Sequence, residues 1–248
     1  MSNRVVAKVH TMASKLIILA ASVLVLAAVG VDGHGYLYEP CMRSSLWRLG
    51  APVPVNWEDD QLNCGGFGPL IMEDYPYEFQ TQWVTNGGKC GECGDAWNLA
   101  RPRPNENGGK FGTGYIAQRY KEGELIDVHI NITASHKGYF EFRLCPMDGS
   151  EDEFLVTVGK QGMQVDQECL DRHLLTLEDG STQWILKTFE PGMYTMKVQL
   201  PKGIKCEACV FQWHWRTANS WGTCEDGHEA VGCGPQETWN NCADIAIE

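Results

Sequence analysis

The chain has 248 residues and a formal charge of −12 at neutral pH. That balance argues against a nucleic-acid partner, because phosphate binding needs clustered Lys and Arg. It suits a secreted protein acting on an uncharged solid, or one that simply stays soluble through its charge.

Residues 1–33 read as an export leader. Arg4, Lys8 and Lys15 form a basic start, and Leu16–Val29 is almost wholly Leu, Ile, Val and Ala. That run of about 14 residues is shorter than the roughly 20 needed to span a bilayer, and small residues follow it as a signal-peptidase site requires. A retained signal anchor is the alternative. Cleavage fits any of several small residues between Ala27 and Gly33, and a cut after Gly33 makes His34 the first residue. The leader takes three of the 20 basic and one of the 32 acidic residues, leaving 17 against 31 in a mature chain of residues 34–248. No second apolar stretch of comparable length occurs, so the mature protein is expected to be soluble and extracellular; it is also expected to be a monomer without membrane contact.

Gly50–Gly114 is loop-like and dense in Gly, Pro, Asn and Trp. An irregular stretch of that length must be functional or tied down, and Cys64, Cys90 and Cys93 inside it favour disulfide ties. Short strand-like runs follow at 125–132, 139–144, 154–158, 184–187, 194–199 and 210–216. They are separated by turns such as Met147-Asp148-Gly149 and Glu190-Pro191-Gly192. Helical periodicity is scarce. Recurring short strands with Gly and Pro between them predict an all-β, antiparallel sandwich with long disulfide-tied loops. With no linker, repeat or low-complexity tail, one domain is the economical reading.

All 11 cysteines lie beyond the leader. In an exported chain that count implies a disulfide framework with one thiol left over. Cys90–Cys93 and Cys206–Cys209 are CxxC pairs, for which a structural zinc site is the alternative. The spacing leaves connectivity open.

Four histidines compete for a chemical role. If cleavage exposes it, His34 offers an α-amino nitrogen and an imidazole that can chelate one ion. His136, at the turn entering a strand, would add a third nitrogen. A planar nitrogen set with open positions favours Cu(II). His129, mid-strand, and His214, between Trp213 and Trp215, read as ordinary packed or surface residues. Spacing alone does not prove that His34 and His136 meet.

The blocks His34-Gly35, Glu39-Pro40, Arg43-Ser44-Ser45-Leu46-Trp47-Arg48, Asn63-Cys64-Gly65-Gly66-Phe67 and Asn86-Gly87-Gly88-Lys89-Cys90-Gly91-Glu92-Cys93-Gly94-Asp95 stand in order along the chain. They continue through Thr133-Ala134-Ser135-His136-Lys137-Gly138-Tyr139, Asn219-Ser220-Trp221-Gly222, Gly232-Cys233-Gly234-Pro235-Gln236-Glu237 and Cys242-Ala243-Asp244-Ile245. Together they resemble the lytic polysaccharide monooxygenases of the invertebrate type (auxiliary activity family fifteen, also called chitin-binding type-4 domains).

The resemblance implies a fibronectin- or immunoglobulin-like sandwich and cleavage before His34. It also implies one copper ion held by His34, through amine and ring, and by His136. Ala134 matches a small residue that packs beside the open axial side of the metal in relatives. An external electron donor and dioxygen or hydrogen peroxide would then support oxidation at C1 or C4 of crystalline chitin or cellulose. A hydrolase is the poorer reading, since no pair of carboxylates stands out.

The chain departs from the family at two places. Counting back five residues from Asp244 reaches Trp239, where relatives carry Tyr or Phe at the other axial position. Trp239 either fills the core or alters the metal. Cys41 has no counterpart. Cys64, Cys90, Cys93, Cys145, Cys169, Cys206, Cys209, Cys224, Cys233 and Cys242 match the family's cysteines and suffice for five disulfides, leaving Cys41 as the free thiol, either buried or able to pair between chains. Asn131-Ile132-Thr133 is a glycosylation sequon. Phe211, Trp213 and Trp215 alternate and so share one sheet face, with core packing the commoner explanation. Tyr36 is a candidate surface aromatic for glycan. The competing functions are a non-catalytic chitin-binding module of the same fold and an extracellular adaptor for another protein.

Overall fold

A computed structural model of the chain describes residues 34–66, 81–147 and 164–248. The expected strand at 154–158 and the turn residues Asp148 and Gly149 lie outside the described residues.

Two sheets carry the structure. One has four strands in the order β1 (His34–Glu39), β3 (Leu125–Ala134), β7 (Gly192–Gln199) and β5 (Thr176–Leu177). The other has five, in the order β2 (Gln118–Tyr120), β11 (Thr238–Ile247), β8 (Cys206–Arg216), β4 (Gly138–Pro146) and β6 (Trp184–Leu186). A two-stranded ribbon, β9 (Trp221–Thr223) and β10 (Glu229–Val231), stands beside them. Every pairing is antiparallel except that of β2 with β11. A short α-helix, α1 (Gln167–Arg172), is capped by the Asp166 carboxylate accepting from the Cys169 amide at 2.7 Å.

The inner face of β3 is Ile126, Val128, Ile130 and Ile132, with Asp127, His129 and Thr133 turned outward. This is the alternation of a half-buried strand. Facing it from the five-stranded sheet are Phe140, Phe142, Phe211, Trp213 and Trp215, all fully buried. The period-two run Phe211, Trp213, Trp215 is therefore core. Each such side chain contributes about 1.5–3 kcal/mol through its burial.

The five-stranded sheet is covered on its other face as well. There Val210, Cys93, Cys145, Cys169, Leu170 and Cys242 form a second cluster under the loops and α1. All ten residues of β11 are consequently buried, Asn240, Asn241 and Asp244 among them. Each of these polar groups has a partner, as burial demands. Asn240 meets His214 Nδ1 at 2.7 Å, Asn241 accepts the Leu37 amide at 2.9 Å, and Asp244 takes Arg43 at 2.6 and 2.8 Å.

Disulfides join Cys64–Cys90, Cys93–Cys242, Cys145–Cys169, Cys206–Cys209 and Cys224–Cys233. The CxxC pairs differ: Cys206 and Cys209 bond to each other, whereas Cys90 and Cys93 bond to separate partners, which pins the long loop to itself and to β11. With these sulfurs in disulfides, neither pair builds the zinc alternative. Cys41 is free and buried, and burial pushes its thiol up to about 12. Native protein at pH 8 should therefore resist iodoacetamide, and unfolding without reductant should release one reactive thiol. Mass spectrometry of the alkylated protein checks this, and labelling of Cys41 in the folded state would contradict it.

Candidate functional site

The geometry begins at the first strand pair. His34 opens β1 opposite Ala134, the last residue of β3. Between His34/Ala134 and Gly35/Ile132 the register shifts, so Thr133 has no partner on β1 and the strand bulges. A side chain at Gly35 would meet Ile132 Cδ1 at 2.7 Å, so glycine lets β1 close on β3. Two residues beyond Ala134 lies His136, in the turn that carries the chain from the four-stranded to the five-stranded sheet. Lys137 and Gly138 follow with φ of 55° and 99°. At Gly138 a Cβ would stand 1.9 Å from the Arg216 carbonyl, so only glycine fits that turn. Strand pairing and a tight turn thus bring His34 and His136 to one end of the sandwich.

The floor of this end is a pair of indoles. Trp239 and Trp215 face each other across β11 and β8 with ring centres 4.7 Å apart, both fully buried. Trp215 Nε1 donates to the Lys137 carbonyl at 2.8 Å, beside His136. Trp239 Nε1 donates to the Asp60 carbonyl at 3.3 Å, which also accepts the Gly35 amide at 3.0 Å, beside His34. Asp60 reaches further: its carboxylate accepts from Thr133 Oγ1 at 2.9 Å, on the bulge. Its neighbour Asp59, buried, binds Arg48 at 2.7 Å through both oxygens and accepts from Ser45. Asp60 therefore ties β1, β3 and β11 together, a role unmarked at the level of sequence, where it is one acid among 32.

Glu237, just before β11, completes the arrangement. Its Oε2 lies 3.1 Å from His136 Nδ1, and both side chains are largely buried, 3% exposed for Glu237 and 12% for His136. A carboxylate there accepts a hydrogen bond from Nδ1–H and so leaves the Nε2 lone pair available, the usual preparation of a metal-binding histidine. The Asn63 amide donates to the other oxygen at 3.4 Å. Glu237 was missed as a site residue by sequence reasoning, although it stands in the quoted block ending Gln236-Glu237.

Other expected residues fall elsewhere. His129 meets Thr195 Oγ1 at 2.8 Å on the outer face of β3, and His214 is half-buried against Asn240, where desolvation lowers its pKa. Tyr36 is not a surface ring: it is 8% exposed, lies under the Arg48 guanidinium, and its hydroxyl accepts from Asn131 of the sequon at 3.0 Å. Among the described residues, exposed aromatics include Trp57, on the turn leading to Asp60, Phe189, under Lys137 Nζ at 4.1 Å, and Trp221 on the ribbon. The ribbon is anchored to the His136 turn by the Ala218 amide, which donates to the His136 carbonyl at 3.0 Å.

An all-β sandwich with two histidines at one end, one of them the first residue of the first strand, presents a candidate metal-binding pair on a sheet scaffold. The sequence profile of the family described as lytic polysaccharide mono-oxygenase, cellulose-degrading, matches residues 34–245. The chain belongs to this family. It is similar to the AA15 lytic polysaccharide monooxygenase from Thermobia domestica, solved in the Cu(I) state. Identity to it is 47% and the TM-score 0.76, over 86% of this chain and 98% of that one. A chitin binding domain from Burkholderia pseudomallei aligns at 13% identity with a TM-score of 0.44, over 88% of this chain and 100% of that one. No curated protein matches the chain.

Because Trp239 is closed in the floor, its truncation should cost far more than that of a surface ring. Trp239→Ala is expected to lose about 3–5 kcal/mol in denaturant unfolding, against about 0.5 kcal/mol or less for the exposed Trp221→Ala. Equal losses would refute the placement of Trp239.

Proposed function

We propose that the chain is a secreted copper-dependent monooxygenase that breaks glycosidic bonds in crystalline chitin or cellulose oxidatively. Residues 1–33 act as the cleaved leader, and His34 and His136 hold one copper ion. The observation that carries this reading is the pairing of His34 with Ala134, two residues before a histidine whose Nδ1 is already engaged by Glu237. Among the described residues no helix is long and apolar enough to cross a membrane.

The residues fit such an ion. Two imidazoles, one with its free nitrogen prepared by a buried carboxylate, form a nitrogen donor set of the kind Cu(II) favours. Cutting the Gly33–His34 bond adds the terminal amine as a third nitrogen. Bound copper would supply one-electron chemistry with dioxygen or hydrogen peroxide once an external donor has reduced it.

The protein's own part is orientation. Glu237 fixes the tautomer and plane of His136. The two indole N–H groups hold the carbonyls of Lys137 and Asp60, and with them the backbone on either side of the site. Trp239 in place of a phenol or phenyl ring fills the space beneath with apolar surface and keeps water out. The exposed rings of Trp57, Phe189 and Trp221 offer flat apolar faces to a solid substrate.

Expression with the native leader, copper loading and mass spectrometry of soluble products from chitin and from cellulose test the proposal. Oxidised oligosaccharides should form from at least one of them, only with ascorbate. Chitin pull-down with no oxidised product would instead support a non-catalytic binding module. Glu237→Gln should weaken copper binding about 10–100-fold in a competition titration without unfolding the protein; unchanged affinity would remove Glu237 from the site.

A further inference from the structure

In four of the five disulfides at least one cysteine is buried: Cys64, both Cys93 and Cys242, both Cys145 and Cys169, and both Cys206 and Cys209. The fifth, Cys224–Cys233, is half-exposed at both ends. It closes the ribbon of β9 and β10, and the turn between those strands carries His228. The His228 Nε2 atom lies 3.3 Å from Cys224 Sγ, and its Nδ1 is at hydrogen-bond distance from Asp226 Oδ1. Backbone bonds fix that placement: the Cys224 amide donates to the His228 carbonyl at 2.7 Å, and the His228 amide donates to Asp226 Oδ1 at 3.2 Å. Against the disulfide lies an open cavity of about 760 Å³, lined by both cysteines, Tyr139, Arg216, Glu225 and Asp226 among others. Sulfur, imidazole and carboxylate thus stand in line beside an S–S bond that a small molecule can reach. No step of the copper reading uses them.

We propose that Cys224–Cys233 is a redox-active disulfide that exchanges with small external thiols, with His228 as its acid. An external thiolate entering by the cavity attacks Cys233 Sγ. A mixed disulfide forms there, the Cys224–Cys233 bond breaks, and the electron pair leaves on Cys224 Sγ. That sulfur takes the proton from His228 Nε2, while the His228 Nδ1 edge stays on the Asp226 carboxylate. A second thiolate then attacks the external sulfur of the mixed disulfide, releasing the oxidised small-molecule disulfide and leaving Cys233 reduced. Two thiols are oxidised for each protein disulfide reduced. Exchange of this kind depends on access and on how good the leaving thiolate is, and a neighbouring imidazolium improves the latter. The other four disulfides are sheltered at one or both ends. The proposal holds whether or not copper binds at His34 and His136.

The test uses the oxidised, metal-free, full-length secreted protein in glutathione under native conditions. Samples are quenched in acid at intervals, alkylated and peptide-mapped. Cys224 and Cys233 should be labelled before any other disulfide cysteine. His228→Gln should slow their initial labelling at least about tenfold, and Asp226→Asn should slow it by less, with thermal midpoints close to the parent's, since both residues are surface-exposed. Earlier opening of another disulfide, or parental rates in both variants, would overturn the assignment. Because no metal or polysaccharide is present, failure here would leave the copper reading standing, and failure of the copper assays would leave this one standing.

Discussion

The candidate site depends on one constraint: the first residue of β1 must lie against the last residue of β3 while the chain leaves β3 to cross between sheets. Antiparallel pairing satisfies the first half, with Gly35 small enough to let the strands close. The left-handed Lys137-Gly138 turn satisfies the second. Each histidine is placed by backbone geometry, His34 by strand pairing and His136 by the turn that follows β3.

The core then reaches up to support that geometry. Trp215 and Trp239 are hydrophobic mass for the sandwich, yet each spends its single N–H on a carbonyl beside one of the histidines. Asp60 and Glu237 act in the same sense, one stitching three strands and the other orienting a ring. The indole and Glu237 contacts are at least partly buried, so solvent and salt weaken them little, whereas the Thr133–Asp60 bond is exposed. This also gives Trp239 a physical role that differs from a phenol at the same position: its polar atom is committed to the backbone. Stability of the floor and geometry of the site are therefore one property, and a substitution in the floor moves both.

Much of this is legible in the sequence, and what is not has a definite cause. β3, β4, β7 and β8 show themselves because one face of each carries a regular apolar set, as in Ile126, Val128, Ile130 and Ile132. The long tied loop is legible from its composition and cysteines. β11, the strand at the centre of the site, shows no alternation: its second face is covered by the loop and α1, so Asn240, Asn241 and Asp244 are buried polar residues where a half-exposed strand would show surface ones. β1 is invisible for a related reason, being short and broken by a bulge. His34 and His136 stand out by residue type, but their meeting rests on a strand register that no local pattern encodes. Tyr36 misleads because proximity in sequence to His34 says nothing of the Arg48 side chain that covers it. The partners that matter most, Asp60 and Glu237, come from segments far from the residues they serve, so only the fold reveals them.

The most direct test of the account is copper binding by two forms of the secreted chain, one beginning at His34 and one retaining Gly33 before it, followed by titration and electron paramagnetic resonance. The form beginning at His34 should bind one Cu(II) per chain with three nitrogen donors, and retention of Gly33 should abolish the amine ligand and sharply weaken binding. Equal affinity and identical spectra for the two forms would contradict the claim that the terminal amine and the two imidazoles share one ion.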